Sequence, residues 1–238
     1  MRSNSYTLGF TTLVTIILGI MLSAAATLLK DRQQLNMELD IKKNILRALD
    51  ISGQTDVKLT AEDYQQMFSE NIRSYVIDKT GQRVNTMKPE DIDPKTMSGL
   101  YPVFEKVIDN QTAGYAIPIS GKGLWSTIYG YLALESDCKT VMGITFYKHG
   151  ETPGLGGEIE KDWFTFNFVG KQIFDPSGKL VSIQIVKRTV DESRAEAYHQ
   201  VDGISGATLT TKGMNIFIEQ DLKNYLPFFK LTHQMEEG

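Results

Sequence analysis

The feature that most constrains this chain is an uninterrupted apolar segment close to its N-terminus. Residues 6–29, YTLGFTTLVTIILGIMLSAAATLL, contain no charged side chain. As an α-helix rising about 1.5 Å per residue, this segment is longer than the roughly 30 Å hydrocarbon core of a bilayer. A signal peptide is the alternative, because SAAA at 23–26 resembles a small-residue cleavage site. The length of the apolar run favours a transmembrane helix over 6–29, preceded by a short N-terminal segment, 1–5.

The charges beside this helix do not fix its orientation in a membrane. Arg2 and the terminal amine precede it, and Lys30 and Arg32 follow it, with Asp31 between them. Basic groups therefore lie on both sides, and the positive-inside rule leaves the sidedness open.

A helical stalk is predicted after the apolar segment, over residues 30–50. Leu35, Leu39, Leu46 and Leu49 recur at a spacing close to that of helical turns. Such a stripe either packs on the chain's own domain or contacts a partner just outside the bilayer. The polar stretch ISGQTD at 51–56 ends the helix, and a separate domain is expected over 51–238.

Charge and cysteine content exclude several kinds of function. The formal net charge is −4, with 25 basic and 29 acidic side chains, so a nucleic-acid partner is not expected. Cys138 is the single cysteine, which rules out a disulfide within the chain and a multi-cysteine metal site. The three histidines are scattered, and we expect no metal site of the chain's own. Cys138 is expected to be a small buried hydrophobic residue.

The body of the chain is predicted to be β-rich. Alternating apolar and polar residues indicate half-buried antiparallel strands in AGYAIPIS, STIYGYLALE, TVMGITFY, WFTFNF and KLVSIQIVK. DPSG, at 175–178, is a strong turn signal between the last two. Upstream, VKLT predicts a short strand before a helix capped by Thr60 with Asp63 in its first turn. SYVID and KTGQRV predict a strand and a turn, and KPEDIDPK at 88–95 a charged loop.

The period of the apolar pattern changes after Thr208. Met214, Phe217, Ile218, Leu222 and Tyr225 lie on one face of a helix with 3.6 residues per turn. Pro227 is expected to stop this helix. The predicted fold class is therefore α+β: one transmembrane helix, a helical stalk, and a domain with an antiparallel sheet and a C-terminal helix.

The start of that last helix carries an unusual group of hydroxyls. In DGISGATLTTKG, 202–213, the side chains of Ser205, Thr208, Thr210 and Thr211 fall within seven residues. Thr208 or Thr210 can cap the helix, but a cap accounts for one hydroxyl and not four. Gly203 and Gly206 allow a ligand to approach the backbone, and a helix N-terminus favours an anion. The residues alone leave open a cap, a phosphate cradle or a point of attachment.

Two further stretches have compositions that suit a ligand. HGETPGLGGEIE, at 149–160, is glycine-rich and contains one large apolar residue, Leu155, beside the polar Glu151 and Thr152. This mixture suits a loop that folds over a flat ligand, although it also suits a hairpin tip. In GKGLWSTIYGYLALE, 121–135, Trp125 either covers the edge of the core or stacks beside a π-system.

Together, SGATLT, HGETPGLGG and GLWSTIYGYLALE closely resemble the C subunit of the bacterial sodium-translocating NADH:quinone oxidoreductase. The resemblance covers the whole chain and implies a β-rich FMN-binding domain. It also implies one covalent FMN per chain, held as a phosphoester on the last threonine of the S-G-A-T-x-T motif, which is Thr210. Asp202 and Gly203 fit the pattern recognised by the flavin transferase that forms this bond.

The resemblance gives the other residues roles as well. The donors to the phosphate would be Ser205, Gly206, Ala207 and Thr208. The contacts to the FMN ring system would come from Trp125, Thr152 and Leu155, with Glu151 as a polar neighbour, and Gly156 is also expected among the cofactor-binding residues. Lys187 would favour an anionic reduced flavin. No catalytic residue and no metal ligand is implied.

The family's activity is an electron relay in the bacterial inner membrane, with the flavin domain on the periplasmic side. Electrons would come from an iron–sulfur centre held by a pair of membrane subunits and go to a second covalent-FMN subunit. No G-x-G-x-x-G follows a strand, so this chain is not expected to oxidise NADH alone. The G subunit of the Rnf electron-transport complex shares the motif and the ETPGLG loop, and is the alternative. A non-redox periplasmic scaffold is the more distant one.

Overall fold

The computed structural model describes residues 3–51, 59–92 and 99–236 and divides the chain into two compact units, Met1–Asp40 and Ile41–Gly238. Helix α1, Asn4–Ala48, contains both the predicted transmembrane segment and most of the predicted stalk. Among the described residues it is the one helix long and apolar enough to cross a membrane, with a mean hydropathy of 2.3 over its most apolar window. This helix is compatible with a single-pass membrane anchor.

The second unit is built on a six-stranded antiparallel sheet. Its strands are β1 (Ile72–Asp78), β2 (Arg83–Val84), β3 (Leu100–Ile108), β4 (Gln111–Lys122), β5 (Thr127–Glu135) and β6 (Val141–Lys148). Their order in the sheet is β2-β1-β3-β4-β5-β6, and each neighbouring pair is antiparallel. The strands predicted in SYVID, AGYAIPIS, STIYGYLALE and TVMGITFY are confirmed.

The end of helix α1 and helix α2 (Ala61–Asn71) contribute to the smaller of two buried cores. Ile45, Leu46 and Leu49 are buried there with Phe104 and Tyr131 of the sheet. This part of the predicted stalk therefore packs on the chain's own domain, within the compact unit Ile41–Gly238. Leu35, by contrast, is exposed.

Capping interactions are present at the C-terminal end of α1 and at the N-terminal end of α2. Asp50 adopts φ +50°, and the Ile51 N–H donates to the Leu46 carbonyl at 2.9 Å, a bond typical of a Schellman end. Thr60 and Asp63 form the capping box that the sequence predicts for α2. The strand predicted in VKLT falls partly on residues 57–58, outside the described ranges, as do residues 52–56 and 93–95 of two predicted loops. Within the second loop, Pro89–Asp91 forms a 3-10 turn.

The larger core lies between the sheet and helix α4, Thr208–Glu236. The predicted face of this helix is confirmed, because Met214, Phe217, Ile218, Leu222 and Tyr225 are all buried. The Tyr225 hydroxyl also donates to the Pro102 carbonyl of β3 at 2.7 Å. Cys138 is fully buried in the same core, as expected.

The prediction that WFTFNF forms a strand is wrong. Helix α3, Asp162–Thr165, and a 3-10 turn, Phe166–Phe168, occupy this stretch. Phe164 and Phe168 are completely buried while Phe166 between them is 52% exposed. Phe164 and Phe168 are four residues apart and therefore lie on the same, buried face of a helix. In the sequence, aromatic and polar residues alternate over this stretch, and that pattern is also typical of a strand.

KLVSIQIVK is also not the predicted antiparallel strand. Its one strand, β7 (Gln184–Ile185), pairs parallel with β8 (Gln200–Val201), and Leu180 forms an isolated antiparallel bridge with Phe174. Ser182, expected to point outward, is completely buried with φ +63°, which breaks the alternation. The DPSG turn itself is confirmed, since the Gly178 N–H donates to the Asp175 carbonyl at 2.9 Å.

Pro227 does not stop the last helix, contrary to prediction. Helix α4 continues through it to Glu236. Proline removes one backbone donor and disturbs the preceding turn, a cost of about 3 kcal/mol. The following turn carries Phe228 and Phe229, both buried in the core. Burial of two aromatic side chains offsets the cost and keeps the helix in place.

The helical assignment of residues 162–168 leads to a stability prediction. Phe164→Ala is expected to lower the free energy of unfolding by about 3–5 kcal/mol, because it empties a buried site. Phe166→Ala, two residues along, is expected to cost less than about 1 kcal/mol. Chemical denaturation of the full chain in detergent, followed by near-ultraviolet circular dichroism, measures both. Similar large losses in both variants would contradict the helical arrangement.

Candidate functional site

Three segments meet beside the N-terminus of helix α4. They are the β4–β5 turn at 123–126, the loop 149–157 that follows β6, and residues 202–210. These are the three stretches that the sequence singled out. The fold brings them together because β5 pairs with both β4 and β6, while α4 packs across β4.

The Glu151 carboxylate joins the three segments. Its Oε2 accepts the Thr210 hydroxyl at 2.7 Å and the Leu124 N–H at 3.2 Å. Its Oε1 accepts the N–H groups of Trp125 at 2.9 Å and Ser126 at 3.2 Å. With 5% of its surface exposed, the side chain lies inside the site rather than at its rim. The sequence analysis identified Glu151 as a polar neighbour of the ligand but did not predict that it joins the three segments.

These hydrogen bonds keep Glu151 ionised. Burial on its own would raise the pKa of this carboxyl group, because burial disfavours the charged form. The Thr210 hydroxyl and the backbone N–H groups of the 124–126 turn outweigh it, and the net pKa is lower than that of an ordinary glutamate. A buried carboxylate with four donors is a well-satisfied group.

The four hydroxyls of 202–213 have different surroundings. Thr210 is 1% exposed and donates to Glu151, so its hydroxyl is not the predicted helix cap. The buried Thr211 hydroxyl lies 3.2 Å from the Ala207 and Thr208 carbonyls. Ser205 and Thr208 are exposed. Thr210 is therefore the hydroxyl of this group whose partner comes from the 149–157 loop.

Two glycines make room for this arrangement. A Cβ at Gly156 would lie 2.6 Å from the Thr210 hydroxyl oxygen and 3.0 Å from Glu151 Oε2. Gly206 has φ +77°, and a Cβ there would lie 2.6 Å from the Leu155 side chain. The loop 149–157 thus lies directly against the 202–210 segment, and a side chain at either position would separate them.

Large apolar side chains are exposed around this junction. Trp125 is 71% exposed and Leu155 43% exposed, and Leu124 is exposed as well. The backbone of two of them is held by hydrogen bonds. The Trp125 N–H donates to the Glu151 carboxylate, and the Leu155 N–H donates to the Thr152 carbonyl at 3.1 Å. The Thr152 carbonyl also accepts the Gly157 N–H at 2.9 Å, while the residue itself is exposed. Exposed aromatic and aliphatic groups on a fixed backbone suit a flat ligand.

The remaining predicted residues lie at the edge of the site. Gly203 packs against the backbone of Val186 and Lys187, which places the exposed Lys187 beside the 202–206 segment. Asp202 accepts the Val190 N–H at 2.7 Å and fixes the start of that segment. The Ala207 N–H donates to the Ile204 carbonyl at 3.1 Å. This bond competes with the predicted role of Ala207 as a phosphate donor.

A cleft that the sequence did not reveal adjoins the site. It has a volume of about 650 Å³ and lies between the end of β4 and helix α4, with Leu124, Leu209 and Lys212 in its lining. At its inner end, burial raises the pKa of Asp221 to about 7, although the carboxyl accepts the Ser120 N–H at 2.8 Å. Asp221 follows Phe217 by four residues and so lies near the buried face of α4. This spacing was the one indication in the sequence that a carboxyl group is buried here.

The fold and the site together define an FMN-binding domain, and the chain also contains a helix long and apolar enough to cross a membrane. A family model described as the FMN-binding domain matches residues 123–223, which contain all three segments. In the part of the chain that the structure describes, no group of three or more acidic, histidine or cysteine side chains could hold a metal ion.

Relatives identify the particular family. The chain is 34% identical to the C subunit of the Na(+)-translocating NADH-quinone reductase of Pseudomonas aeruginosa, covering 90% of this chain and 89% of that protein. It is 35% identical to the C subunit from Yersinia pestis, over 89% and 87% of the two chains. The chain therefore belongs to the family of the C subunit of the Na(+)-translocating NADH-quinone reductase, an oxidoreductase complex.

Solved structures agree with this assignment. The crystal structure of the C subunit from Parabacteroides distasonis superposes with a TM-score of 0.73 at 32% identity, covering 84% of this chain and 96% of that one. The structure named NqrC from Shewanella oneidensis gives a TM-score of 0.69 at 27% identity, over 82% and 97%. The predicted fold class, the family resemblance and the FMN cofactor are confirmed.

The Thr210–Glu151 bond leads to a prediction for the flavin-free chain. Thr210→Val is expected to lower the free energy of unfolding by about 1.5–3 kcal/mol at pH 7, as for a hydrogen bond to a charged group. Because the folded-state pKa of Glu151 is depressed, this contribution is full above the unfolded-state pKa of about 4.3. It is lost as the pH falls through the lower folded-state pKa.

Thr211→Val is the matched control, because it removes a buried hydroxyl bonded to backbone carbonyls. Its cost is expected to be about 0.5–1.5 kcal/mol and independent of pH between 3 and 7. Denaturant unfolding in detergent at several pH values measures both. A Thr210→Val effect that does not shrink below about pH 4 would show that the bond does not depend on an ionised Glu151.

Proposed function

We propose that this chain carries FMN as a phosphoester on the Thr210 hydroxyl, one per chain. It would thereby act as the electron-carrier subunit of a sodium-pumping NADH:ubiquinone oxidoreductase. Bound FMN supplies one-electron and two-electron transfer. The chain's own residues would hold the cofactor, orient it and leave part of it accessible to partners.

The observation that carries the proposal is the position of Thr210. Of the four clustered hydroxyls, this one is held by Glu151 at the point where the three motif segments meet. It also lies in the first turn of α4, whose unpaired N–H groups and dipole favour an anion. A phosphate attached there is close to the positive end of a 29-residue helix.

The neighbouring residues suit a phosphorylated flavin. We assign the phosphate contacts to backbone N–H groups of Ser205, Gly206 and Thr208, with Ala207 contributing if it leaves its turn. We assign contacts to the ring system to Trp125, Thr152, Leu155 and Gly156. Glu151 would lie beneath the attachment point, and Lys187 would place a positive charge near the flavin.

Attachment requires the loop 152–157 to open. Thr210 is almost completely covered, and Gly156 lies against its hydroxyl oxygen. The tip of this loop, Thr152–Leu155, is exposed and is held mainly by local bonds, such as the Gly154 N–H to Glu158 contact of 3.2 Å. Segments with few buried contacts open at low free-energy cost. A flavin transferase would act on this opened form during maturation.

The family and the apolar N-terminal helix support a proposal for the membrane arrangement. We propose that residues 6–29 cross the bacterial inner membrane once, with 1–5 in the cytoplasm and the flavin domain in the periplasm. Residues 30–50 would link the two, their second half packed on the domain. Electrons would pass between a pair of iron–sulfur-bearing membrane subunits and a second covalent-FMN subunit. This chain is not expected to oxidise NADH alone, because no G-x-G-x-x-G motif follows a strand in its sequence.

Two alternatives have less support. The relatives described above carry the name of the quinone reductase, which disfavours the G subunit of the Rnf complex. A non-redox scaffold would leave the Thr210 hydroxyl unmodified, and the FMN-binding domain match argues against it.

Replacing the attachment residue tests the proposal. Thr210→Ala is expected to abolish covalent flavin completely in protein coexpressed with its flavin transferase, because no ester oxygen remains. Flavin fluorescence of the denatured chain in a gel measures the label, and circular dichroism checks the fold. Thr208→Ala and Thr211→Ala are the controls and are expected to keep full labelling. Label retained in Thr210→Ala would place the bond on another hydroxyl, and an unlabelled wild-type chain would favour the scaffold.

Crowding the attachment site gives a further prediction. Gly156→Ala is expected to reduce labelling at least tenfold, because the new methyl group would lie on the Thr210 oxygen. Gly154→Ala controls for changes in the same loop, since its Cβ meets nothing within 4 Å although its φ is +75°. That control should cost about 1–2 kcal/mol in backbone strain but label normally. Equal labelling of Gly156→Ala and wild type would contradict the assigned geometry.

A further inference from the structure

The cleft between the end of β4 and helix α4 has a fixed shape. Two glycines in its lining bring the strand and the helix into close contact. A Cβ at Gly121 would overlap the Phe217 side chain, and a Cβ at Gly213 would overlap the Lys122 carbonyl oxygen. The backbones of two regular elements therefore define the cleft, so it is present before any partner binds.

The walls of the cleft are apolar and open to solvent. Leu209 and Ile216 are each 59% exposed, and Leu124 is 41% exposed. Leu209 and Ile216 are seven residues apart, so they share a face of α4, away from the stripe that fills the core. A small ligand in a pocket normally has about 70–90% of its surface buried, which walls this open do not provide. Exposed apolar groups along a concave surface instead favour a larger partner that also covers the rim.

The cleft is positively charged, although the chain has a formal net charge of −4. Lys122 and Lys212 are exposed in its lining, and among the residues that the structure describes neither forms an ion pair. The acidic group in the lining is Asp221, whose carboxyl accepts the Ser120 N–H at 2.8 Å. Burial raises the pKa of Asp221 to about 7, so at neutral pH about half of the molecules carry this group uncharged. The charge of the cleft therefore favours a partner that brings carboxylates.

We propose that this cleft docks a segment of another subunit of the reductase complex. The segment places a large apolar side chain between Leu124 and Ile216, and carboxylates beside that side chain pair with Lys122 and Lys212. An apolar anchor in a preformed groove with charge pairs at its rim is a common arrangement in protein interfaces. The inference rests on membership of the C-subunit family and does not depend on where the flavin is attached.

Two other occupants fit the cleft less well. Recognition of anionic lipid headgroups takes clusters of about four to eight basic side chains, and the lining of this cleft has two, Lys122 and Lys212. A symmetric pair of this chain would place the same surface of each copy in contact, so the lysines of both copies would meet. Like charges facing each other disfavour that arrangement. A subunit segment with carboxylates is therefore the occupant that the charges support.

Photocrosslinking within the assembled complex tests the proposal. The photoreactive amino acid p-benzoylphenylalanine replaces Ile216 in one variant and Gln220, also in the lining, in another. Each full-length variant is coexpressed with the other subunits, its native membranes are irradiated, and mass spectrometry identifies the crosslinked peptide. Both variants are expected to crosslink to a peptide of another subunit that has carboxylates beside a large apolar residue. Ile108 is the matched control position, because it is an aliphatic residue at the end of β3, outside the cleft, and is 48% exposed.

Charge reversal in the cleft tests the predicted ion pairs. Lys122→Glu combined with Lys212→Glu is expected to lower the crosslink yield from position 216 about tenfold, because like charges then meet in the interface. Lys223→Glu combined with Lys230→Glu makes the same change of net charge at exposed positions of α4 outside the lining. That control should keep the yield within about twofold, as expected for exposed charges far from the contact. Replacing the carboxylates of the crosslinked segment by lysine should restore the yield of the charge-reversed chain.

Several results would overturn the proposal. They are crosslinks from the cleft to lipid, to a second copy of this chain or to a segment without carboxylates, and the absence of crosslinks in a complex that a native gel shows to be assembled. A yield unchanged by charge reversal would overturn it as well. If the charge-reversed chain does not assemble, the compensating lysines in the partner decide, and failure to restore the yield would overturn the proposal. In-gel flavin fluorescence of the same chains tests the proposed flavin attachment separately, and its loss would leave the docking result unchanged.

Discussion

The structure around the site depends on keeping one buried carboxylate satisfied. Glu151 lies almost out of contact with solvent, and a charge in that position is strongly unfavourable unless donors surround it. Its donors are three N–H groups from the β4–β5 turn and one hydroxyl from helix α4. Segments far apart in the sequence must therefore meet at this carboxylate, and the site's geometry follows from that requirement.

The fold supplies the parts that meet there. Thr210, Met214 and Phe217 lie at i, i+4 and i+7 on helix α4, so the stripe that fills the core also turns the Thr210 hydroxyl inward. The β4–β5 hairpin presents its turn beside that stripe, and β6 leads directly into the Glu151 loop. The same packing of α4 that fills the core thus also sets the position of Thr210, the proposed attachment residue. Around it, the exposed Trp125 and Leu155 are left available to a flat ligand.

Much of this architecture could be predicted from the sequence, and the errors share a physical cause. Four of the six sheet strands and the face of α4 were readable because they are long segments in which apolar residues recur with a regular period, whereas the nine-residue strand β3 was not predicted. WFTFNF and KLVSIQIVK were misread because short segments match more than one period, and tertiary packing decides between them. Pro227 was misjudged for a similar reason, since the burial of Phe228 and Phe229 outweighs a local preference.

The sequence predicted the three segments that form the site but not the hydrogen bonds that join them. Glycines, hydroxyls and isolated aromatic residues marked the three segments, and the family resemblance selected Thr210 among four hydroxyls. The bonds from Glu151 to residues 124–126 and to Thr210 span 25 to 59 residues along the chain, and no local pattern encodes them. The cleft beside Asp221 was missed because it exists only between two packed elements.

The central claim is that Thr210 is the residue that bears the flavin. The most direct measurement is peptide mapping of the chain isolated from its native membranes and denatured before digestion with trypsin. The peptide 195–212 contains all four candidate hydroxyls, and fragmentation in a mass spectrometer distinguishes them. The account predicts one FMN phosphoryl group on this peptide, localised to Thr210. A peptide without flavin, or with flavin on Ser205, Thr208 or Thr211, would contradict it.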